Sequence, residues 1–257
     1  MEQHVVSEKA EGVLSLTLNR PEKRNALTRP MYKALGEAID LAEHDPDVRC
    51  VLIQAQGDVF TAGNDIGDFA AMNANTAGTG HWEGNPLLSA LARAKTPLVA
   101  AVQGRAVGVG VTMLLHCDLV FVSDDVLLST PFVNLALVPE AASSLTLPAR
   151  VGHVRAFSMF VLGESVNAEN AVAWGIANAA YPRGELREKA LAAARAVAAR
   201  PPAAVALTKA LMRDPQGLAQ RMDLEGAHFM GQLKSAEARE AFMAFAEKRA
   251  PDFSKLR

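Results

Sequence analysis

Several signatures of common functional classes are absent from this sequence. Cysteine occurs only twice in 257 residues, at Cys50 and Cys117, and both lie in apolar runs, which favours buried reduced thiols over a disulfide. No CxxC or HxxxH spacing occurs, so no metal site is expected. No GxSxG motif is present either, which argues against a serine hydrolase.

An excess of one charge and long hydrophobic runs are also lacking. The 26 basic and 28 acidic side chains give a formal net charge of -2 without any block of Lys and Arg, so nucleic-acid binding is not expected. No apolar segment approaches the roughly 20 residues that span a bilayer, and Met1 is not followed by a basic region and an apolar run. We therefore expect a cytoplasmic protein that contacts no membrane.

The residues that are present supply enough apolar material for one sizeable core, since 50% of them are hydrophobic. Leucines alternate with polar residues over 13–19, which is the period-two pattern of a half-buried strand. Thr28 and Pro30 are typical of a helix start, and this helix is predicted to reach about His44. A strand over 48–55 follows, and strands and helices then alternate, which predicts the α/β fold class.

Two regions depart from this alternation. Residues 70–85 are small, polar and glycine-rich, so we expect a mobile surface loop and candidate lid there. From Glu185 onward the pattern is almost entirely helical, and Pro201 and Pro202 begin a further helix after an alanine-rich stretch. The alanine-rich faces suit close packing against either the same chain or another subunit.

Two glycine-rich stretches carry the strongest chemical signal. Val59–Ile66 and Val102–Gly110 each predict a strand that runs into a glycine turn and then opens a helix. Such turns leave backbone N–H groups unpaired, so two of them placed together can hold one negatively charged oxygen. The second stretch fits neither nucleotide template, because Met113 replaces the third glycine of a dinucleotide fold and no Gly-Lys-Ser/Thr follows. The sequence therefore predicts an oxyanion hole.

Four ordered motifs make nearly the whole chain resemble the crotonase superfamily, also called the enoyl-CoA hydratase/isomerase family. The resemblance implies an α/β fold with a crotonase/ClpP-like spiral of repeated ββα units over residues 1–195 and a C-terminal helical trimerisation region over 196–257. It also implies an acyl-CoA thioester substrate, coenzyme A as part of that substrate with no separate cofactor, and a homotrimer or a dimer of trimers. The motifs are Asn19-Arg20-Pro21-Glu22-Lys23-Arg24-Asn25-Ala26-Leu27, Phe60-Thr61-Ala62-Gly63-Asn64-Asp65-Ile66, Gly104-Arg105-Ala106-Val107-Gly108-Val109-Gly110 with Cys117-Asp118, and Ala173-Trp174-Gly175-Ile176-Ala177.

By this resemblance, the two oxyanion donors map to the backbone N–H groups of Asn64 and Val109. Preorganised amides there would stabilise the enolate oxygen that forms when the carbon next to a thioester carbonyl loses a proton. Asp65 is expected to fix the first turn, and the basic residues of the site to approach the nucleotide end of coenzyme A. The acyl-CoA site implied in this way comprises Lys23, Arg24, Ala26, Ala62, Gly63, Asn64, Asp65, Ile66, Gly108, Val109, Phe132 and Lys248.

The proton-transfer residues depart from the hydratase pattern. The two glutamates of the family's hydratases would fall at Thr112 and Phe132, and neither of these side chains can transfer a proton. By its local sequence alone, Glu140 after Pro139 reads as an ordinary glutamate in the first turn of a helix. In the family's Δ3,Δ2-enoyl-CoA isomerases, especially the peroxisomal-type branch, a Pro-Glu at this place supplies the single catalytic base. The resemblance therefore assigns Glu140 as that base.

The leading hypothesis is isomerisation of a 3-enoyl-CoA, with Glu140 as base and the Asn64 and Val109 amides as oxyanion hole. Burial would raise the pKa of Glu140 and a helix N-terminus would lower it, a balance that the sequence alone leaves open. An enoyl-CoA hydratase or another crotonase reaction stays open as an alternative, because a fold does not determine chemistry. A non-catalytic acyl-CoA-binding or RNA-binding protein of the same fold is a third hypothesis, although Glu140 is retained and no lysine-rich helix occurs.

Overall fold

A computed structural model describes residues 3–65, 67 and 85–256 of the chain. Ile66, which is one of the residues assigned to the acyl-CoA site, lies outside the described residues. The same holds for the predicted loop over 70–85, apart from Asn85 at its end.

Among the described residues, six strands form the main sheet, in the order Val5–Ala10 (β1), Val13–Leu18 (β2), Cys50–Ala55 (β3), Leu98–Val102 (β4), Leu119–Ser123 (β6) and Ala179–Tyr181 (β9). Only the first pair, β1 and β2, is antiparallel. Its central strands are short apolar runs that are buried on both faces, as parallel strands covered by helices usually are. A smaller sheet contains β5, β7 and β8. The strands are β1 Val5–Ala10, β2 Val13–Leu18, β3 Cys50–Ala55, β4 Leu98–Val102, β5 Arg105–Val107, β6 Leu119–Ser123, β7 Leu127–Ser129, β8 Val166–Asn167 and β9 Ala179–Tyr181.

Ten α-helices lie within the described ranges, together with short 3-10 helices and one π-helical turn, Ser158–Leu162. The α-helices are α1 Arg29–Ala42, α2 Pro86–Arg93, α3 Val109–Thr112, α4 Ser143–Val151, α5 His153–Phe157, α6 Ala168–Ala173, α7 Arg183–Ala198, α8 Pro202–Met212, α9 Pro215–Leu233 and α10 Ala236–Ala246. The 3-10 helices are Pro21–Lys23, Met113–His116, Val133–Leu135 and Phe253–Lys255.

Helices cover both faces of the main sheet and bury its apolar side chains. On one face, α1 and α2 pack against each other and against the larger core cluster. On the other face, α7 presents alanines at four-residue spacing, among them Ala190, Ala194 and Ala198, to the strands. Because alanine lacks a long side chain, the helix approaches the sheet closely. This alanine-rich face therefore packs within the chain.

Two predicted elements agree with the structure, one predicted helix cap does not, and the strand predicted to begin the stretch Val59–Ile66 is present only as isolated bridges at Thr61 and Asn64. The strand predicted over 13–19 is Val13–Leu18, and the strand predicted over 48–55 is Cys50–Ala55. The helix predicted from Thr28 is Arg29–Ala42, with Thr28 as its N-cap. The Thr28 side chain makes no capping hydrogen bond, so the prediction that this side chain caps the helix was wrong.

The C-terminal part of the chain is helical, as predicted from the sequence. The last strand of the sheet is Ala179–Tyr181, and helices α7 to α10 follow it. The predicted domain boundary at residue 195 lies inside α7, and the division of the chain there stays a prediction.

Two further sequence expectations concern cysteines and membrane segments. Cys50 and Cys117 are both free and buried, which confirms the expected reduced thiols. Within the described ranges, no single helix is long and apolar enough to cross a bilayer. The pair Arg183–Ala198 and Pro202–Met212 passes that test of length and composition only when joined, and the two helices are bent by 105°.

One glycine fixes the passage from the main sheet to the smaller sheet. Gly104 joins β4 to β5 with a positive φ of 62°, and a Cβ atom there would lie 1.9 Å from the Asp58 carbonyl oxygen. No other residue fits, because that distance is far inside van der Waals contact and φ is positive. This turn is part of the second glycine-rich stretch, and it directs the chain from β4 in the main sheet into β5 in the smaller sheet.

Candidate active site

The two glycine turns that the sequence singled out lie side by side. Thr61 and Ala106 form a parallel bridge, in which the Val107 N–H donates to the Thr61 carbonyl at 3.1 Å. Gly63 has a φ of 91°, and a Cβ atom there would lie 3.1 Å from the Val107 carbonyl oxygen. Glycine therefore permits the close approach of the first turn to the second.

Each turn presents a backbone N–H without an acceptor. Val109 is the first residue of α3, and the N–H groups of Val111 and Thr112 donate to the Gly108 carbonyl. The N–H groups of Asn64 and Val109 donate to no residue that the structure describes. These two unpaired amides in adjacent turns are the geometric requirement of an oxyanion hole. Their catalytic role stays a prediction.

The loop that carries Lys23 and Arg24 packs against the first turn. The Ala62 N–H donates to the Arg24 carbonyl at 2.9 Å, and the Leu27 N–H donates to the Gly63 carbonyl at 2.8 Å. Arg24 and Lys23 are exposed, whereas Ala26 is half-buried. These contacts bring most of the predicted acyl-CoA residues together around one turn.

Asp65 holds this first turn, as the sequence analysis expected. Its carboxylate accepts a hydrogen bond from the Gly67 N–H at 2.9 Å and forms an ion pair with Arg20 at 2.7 Å. The Asp65 N–H also donates to the Leu27 carbonyl at 3.0 Å. The Arg20 side chain therefore fastens the turn to the loop before α1.

Phe132 and Lys248 are two further residues of the predicted acyl-CoA site. Phe132 is buried, and its ring centroid lies 6.0 Å from that of Phe160. Lys248 is exposed just after α10, with a φ of 55°. Across the described parts of the chain, no hydrogen bond or ion pair joins Lys248 to the loop that carries Lys23. A role for either residue in binding coenzyme A stays a prediction.

Glu140 is a buried carboxylate without a hydrogen-bond partner. Its side chain is 3% exposed, and neither carboxylate oxygen pairs with a described residue. Helix α4 begins only at Ser143, so Glu140 precedes the helix and its first-turn interpretation was wrong. Burial, and secondarily the negative charge of Glu225, raises the pKa of Glu140 to about 8. The opposing effect of the helix N-terminus, which the sequence left open, does not prevail.

Glu225 is a second buried carboxylate in this region, but it is already engaged. It lies on α9 and accepts hydrogen bonds from the N–H groups of Ala142 at 2.6 Å and Ser144 at 2.8 Å. Burial raises the pKa of Glu225, while these hydrogen bonds act in the opposite direction. Glu225 therefore caps the start of α4 and places negative charge near Glu140.

Tyr32 contacts the first turn and is affected by the charge of Glu140. Its hydroxyl donates a hydrogen bond to the side-chain oxygen of Asn64. Burial, and secondarily the nearby charge of Glu140, raises the pKa of Tyr32 well above its usual value, so the phenol stays protonated. The sequence gave no signal for Tyr32, because it lies on the buried face of α1 like an ordinary core residue. Glu225 was also missed, because it lies in mid-helix without any local motif.

The two positions where hydratases of the family carry glutamates hold side chains that cannot transfer protons. Thr112 is fully buried, and its hydroxyl lies 3.4 Å from the Val109 carbonyl. Phe132 packs against Phe160. Among the described residues, Glu140 is therefore a buried carboxylate without a hydrogen-bond partner, and its charge acts on Tyr32.

A cavity of about 120 Å³ adjoins Glu140 between α2 and α9. A larger cavity of about 810 Å³ lies around Asp118 and Lys209, and neither Glu140 nor the two unpaired amides line it. Cavity size alone would therefore select a different region from the one that holds the unpaired amides and the unpaired carboxylate.

The raised pKa of Glu140 predicts a pH dependence for any reaction that uses this residue as a base. Since only the ionised carboxylate removes a proton, kcat/KM should rise about tenfold per pH unit below the pKa and level off above it. The midpoint is expected near pH 8. Glu225→Gln removes the negative charge that raises the pKa of Glu140, so this pKa should fall and the midpoint of the pH profile should move to lower pH. Steady-state kinetics across the pH range would measure both midpoints, and a flat profile in the wild type would contradict the assignment.

The paired turns, the parallel sheet and its helices define a crotonase-fold protein. The profile described as "Enoyl-CoA hydratase/isomerase" matches residues 8–256. The crystal structure of an enoyl-CoA hydratase/isomerase from Pseudoalteromonas atlantica is similar, with a TM-score of 0.91 and 41% identity over 98% of this chain and 100% of that one.

Two relatives with different names are similar in sequence to about the same degree. A "Probable enoyl-CoA hydratase" of Rhodobacter capsulatus is 34% identical over 99% of both chains. "Enoyl-CoA delta isomerase 2" of Rattus norvegicus is 33% identical over 79% of this chain and 52% of the rat protein. The chain belongs to the enoyl-CoA hydratase/isomerase family and is an enzyme of that family. The two relatives support hydration and isomerisation equally.

Proposed function

We propose that the protein is a Δ3,Δ2-enoyl-CoA isomerase, of the peroxisomal-type branch in its catalytic pattern. The observation that carries this proposal is the buried carboxylate of Glu140, which has no hydrogen-bond partner among the described residues, combined with Thr112 and Phe132 at the two hydratase positions. A 1,3-proton shift needs one group that removes a proton and returns it. A hydratase needs one group for water and another for carbon, and the second buried carboxylate, Glu225, is engaged by two amides.

The proposed reaction is a proton transfer without loss or gain of atoms. Glu140 removes a proton from C2 of a 3-enoyl-CoA, and the electron pair delocalises over C2 to C4 and the thioester oxygen as a dienolate. The N–H groups of Asn64 and Val109 donate hydrogen bonds to that oxygen. Glu140 then returns the proton to C4, which leaves the double bond between C2 and C3. A pKa near the working pH suits a group that both accepts and donates the proton.

The binding of coenzyme A and the assembly are part of the same proposal. Lys23, Arg24 and Lys248 are proposed to contact the nucleotide phosphates, since all three are exposed cations. No separate cofactor is needed for the proton shift. A homotrimer or a dimer of trimers, with the C-terminal helices at the interface, is the proposed assembly.

Separate incubations with a 3-enoyl-CoA and a 2-enoyl-CoA test this function. The 3-enoyl-CoA should convert to the conjugated thioester, which is followed by its ultraviolet absorbance. The 2-enoyl-CoA should gain little water, because Thr112 and Phe132 supply no second proton-transfer group. Hydration of the 2-enoyl-CoA without conjugation of the 3-enoyl-CoA would establish the alternative, a hydratase. With a 3-enoyl-CoA deuterated at C2, deuterium found at C4 of the product in ordinary water would report the returned proton.

A further inference from the structure

Glu140 is followed by two residues in an unusual backbone conformation. Ala141 and Ala142 have φ angles of 60° and 55°, and neither is a glycine. Residues other than glycine adopt this left-handed region rarely, and they persist there only where surrounding contacts hold them. The direction of the Glu140 side chain depends on this segment, so the contacts that hold it bear directly on the position of the base.

One of these contacts comes from His116, a buried residue that the catalytic proposal does not use. Its side chain is 1% exposed, and its Nε2 atom lies 2.7 Å from the Ala141 carbonyl oxygen. On the other side of the ring, an Arg213 Nη2 atom lies 2.9 Å from Nδ1. Because a guanidinium only donates, Nδ1 accepts that hydrogen bond and Nε2 carries the proton. The His116 N–H therefore donates to the Ala141 carbonyl.

Arg213 is itself held in place by carbonyl groups from two other segments. Its Nη1 atom donates to the His116 carbonyl at 3.1 Å, and its Nη2 atom donates to the Leu91 carbonyl at 3.3 Å. Burial lowers the pKa of His116 to about 4, so the ring stays neutral, and Arg213 on one side and the Ala141 carbonyl on the other both require the tautomer with the proton on Nε2. Arg213, His116 and Ala141 form one continuous chain of hydrogen bonds.

Glu225 holds the same segment through different atoms. Its carboxylate accepts from the N–H groups of Ala142 and Ser144, whereas His116 donates to the carbonyl of Ala141. The two side chains thus fix both polar groups of the peptide bond between Ala141 and Ala142. A peptide bond fixed at its oxygen and its nitrogen cannot rotate without breaking a buried hydrogen bond.

We propose that His116, oriented by Arg213, is a positioning residue that holds the peptide bond between Ala141 and Ala142 and thereby directs the Glu140 carboxylate towards the substrate carbon. This inference rests on the proposed role of Glu140 as base. His116 makes no hydrogen bond to the Glu140 oxygen atoms, and in this proposal it acts through the Ala141 carbonyl. Loss of its N–H should therefore affect turnover more than substrate binding.

Three variants and one control test the proposal in the full-length enzyme. His116→Leu removes the donor, His116→Gln supplies a side-chain N–H in place of the imidazole N–H, and Arg213→Met removes the hydrogen bond that orients the His116 ring. Cys117→Ala is the control, because Cys117 is the buried neighbour of His116 and its thiol donates to the Met113 carbonyl rather than to Ala141. Steady-state kinetics with a 3-enoyl-CoA would give kcat and KM, and crystal structures of the two His116 variants would give the Ala141 position.

We expect kcat of His116→Leu to fall about 100-fold with KM within about threefold of the wild type, as misplacement of a catalytic group by about 1 Å does. His116→Gln should recover to within about fivefold of the wild type, and Arg213→Met should lose about tenfold, since it leaves the imidazole N–H in place but removes the hydrogen bond to Nδ1 that orients the ring. Cys117→Ala should retain the wild-type kcat. The Ala141 carbonyl should move in His116→Leu and stay in place in His116→Gln.

Two results would overturn the proposal. One is a His116→Leu enzyme with the wild-type kcat and an unmoved Ala141 carbonyl. The other is an equal loss in His116→Leu and His116→Gln, which would indicate a packing role. If His116→Leu does not fold, the kcat of Arg213→Met and His116→Gln decides the question. If the wild type itself does not isomerise, the proposed function fails, and the crystallographic position of Ala141 in the two His116 variants still tests the positioning role.

Discussion

Glu140→Gln is expected to abolish isomerisation and to leave acyl-CoA binding intact. The amide has the shape of the carboxylate but cannot accept the C2 proton, and general acid–base catalysis contributes about 100- to 10,000-fold. Since Glu140 is the only base in the proposed mechanism, we expect a loss of at least about 1,000-fold in kcat. The conversion of a 3-enoyl-CoA measures turnover, and isothermal titration with a saturated acyl-CoA measures binding.

Glu188→Gln is the matched control for this substitution. Glu188 is exposed on α7, so the same chemical change there should leave kcat and binding at wild-type values. Near-normal turnover in Glu140→Gln would remove Glu140 from the mechanism. A joint loss of turnover and binding would point to a role in substrate binding instead.

Glu140→Gln should also change the pH dependence of stability. The pKa of Glu140 is raised from 4.5 to about 8, so the folded protein holds a proton more tightly than the unfolded chain does. This stabilisation is fully present below pH 4.5 and is lost as the pH rises through about 8. Glutamine cannot ionise, so the variant should have a higher Tm than the wild type above pH 8, as thermal unfolding at several pH values would show.

The second large effect is expected from Val109→Pro, which removes one of the two unpaired N–H groups. Loss of a single oxyanion donor lowers kcat by about 100- to 1,000-fold in known cases. Proline suits this position better than most, because Val109 is the first residue of α3 and its N–H makes no helical hydrogen bond. We therefore expect a folded enzyme with a low kcat and a nearly unchanged affinity for the acyl-CoA ground state.

Val109→Ala separates the N–H from the side chain. It retains the amide and removes two buried methyl groups, so it should be less stable than the wild type by about 1 to 2 kcal/mol but should turn over within a few-fold of it. Circular dichroism with thermal unfolding would show that both variants are folded at the assay temperature. Equal activity of the two variants would exclude the Val109 N–H from catalysis.

The parts of the site that local patterns predict are those with strong backbone requirements. Gly63 and Gly108 have positive φ angles, and this requirement is visible in the sequence as a glycine after an apolar run. The strand over Val13–Leu18 and the helix over Arg29–Ala42 follow from hydrophobic periodicity in the same way. Glu140 was found through the family resemblance, because its local sequence alone indicated a helix start.

The parts that local patterns do not predict depend on contacts between distant segments. Tyr32 meets Asn64 across 32 residues, and Glu225 meets Ala142 across 83 residues. His116 belongs to no motif in the sequence, and only the fold brings it to the Ala141 carbonyl. The raised pKa of Glu140 likewise comes from burial by several elements, which no local pattern encodes.

The hydrogen bonds from Ala142 and Ser144 to Glu225 set the order in which a functional molecule can arise during synthesis. Ala142 is synthesised first, and Glu225, whose carboxylate accepts the hydrogen bond of the Ala142 N–H, lies 83 residues further along the chain. At about 5 to 20 residues per second, several seconds pass between the synthesis of Ala142 and that of Glu225, and during this time the segment lacks these hydrogen bonds. The base is therefore fixed only when α9 has left the ribosome and docked, so enzyme activity is a property that the chain acquires in the last steps of its folding.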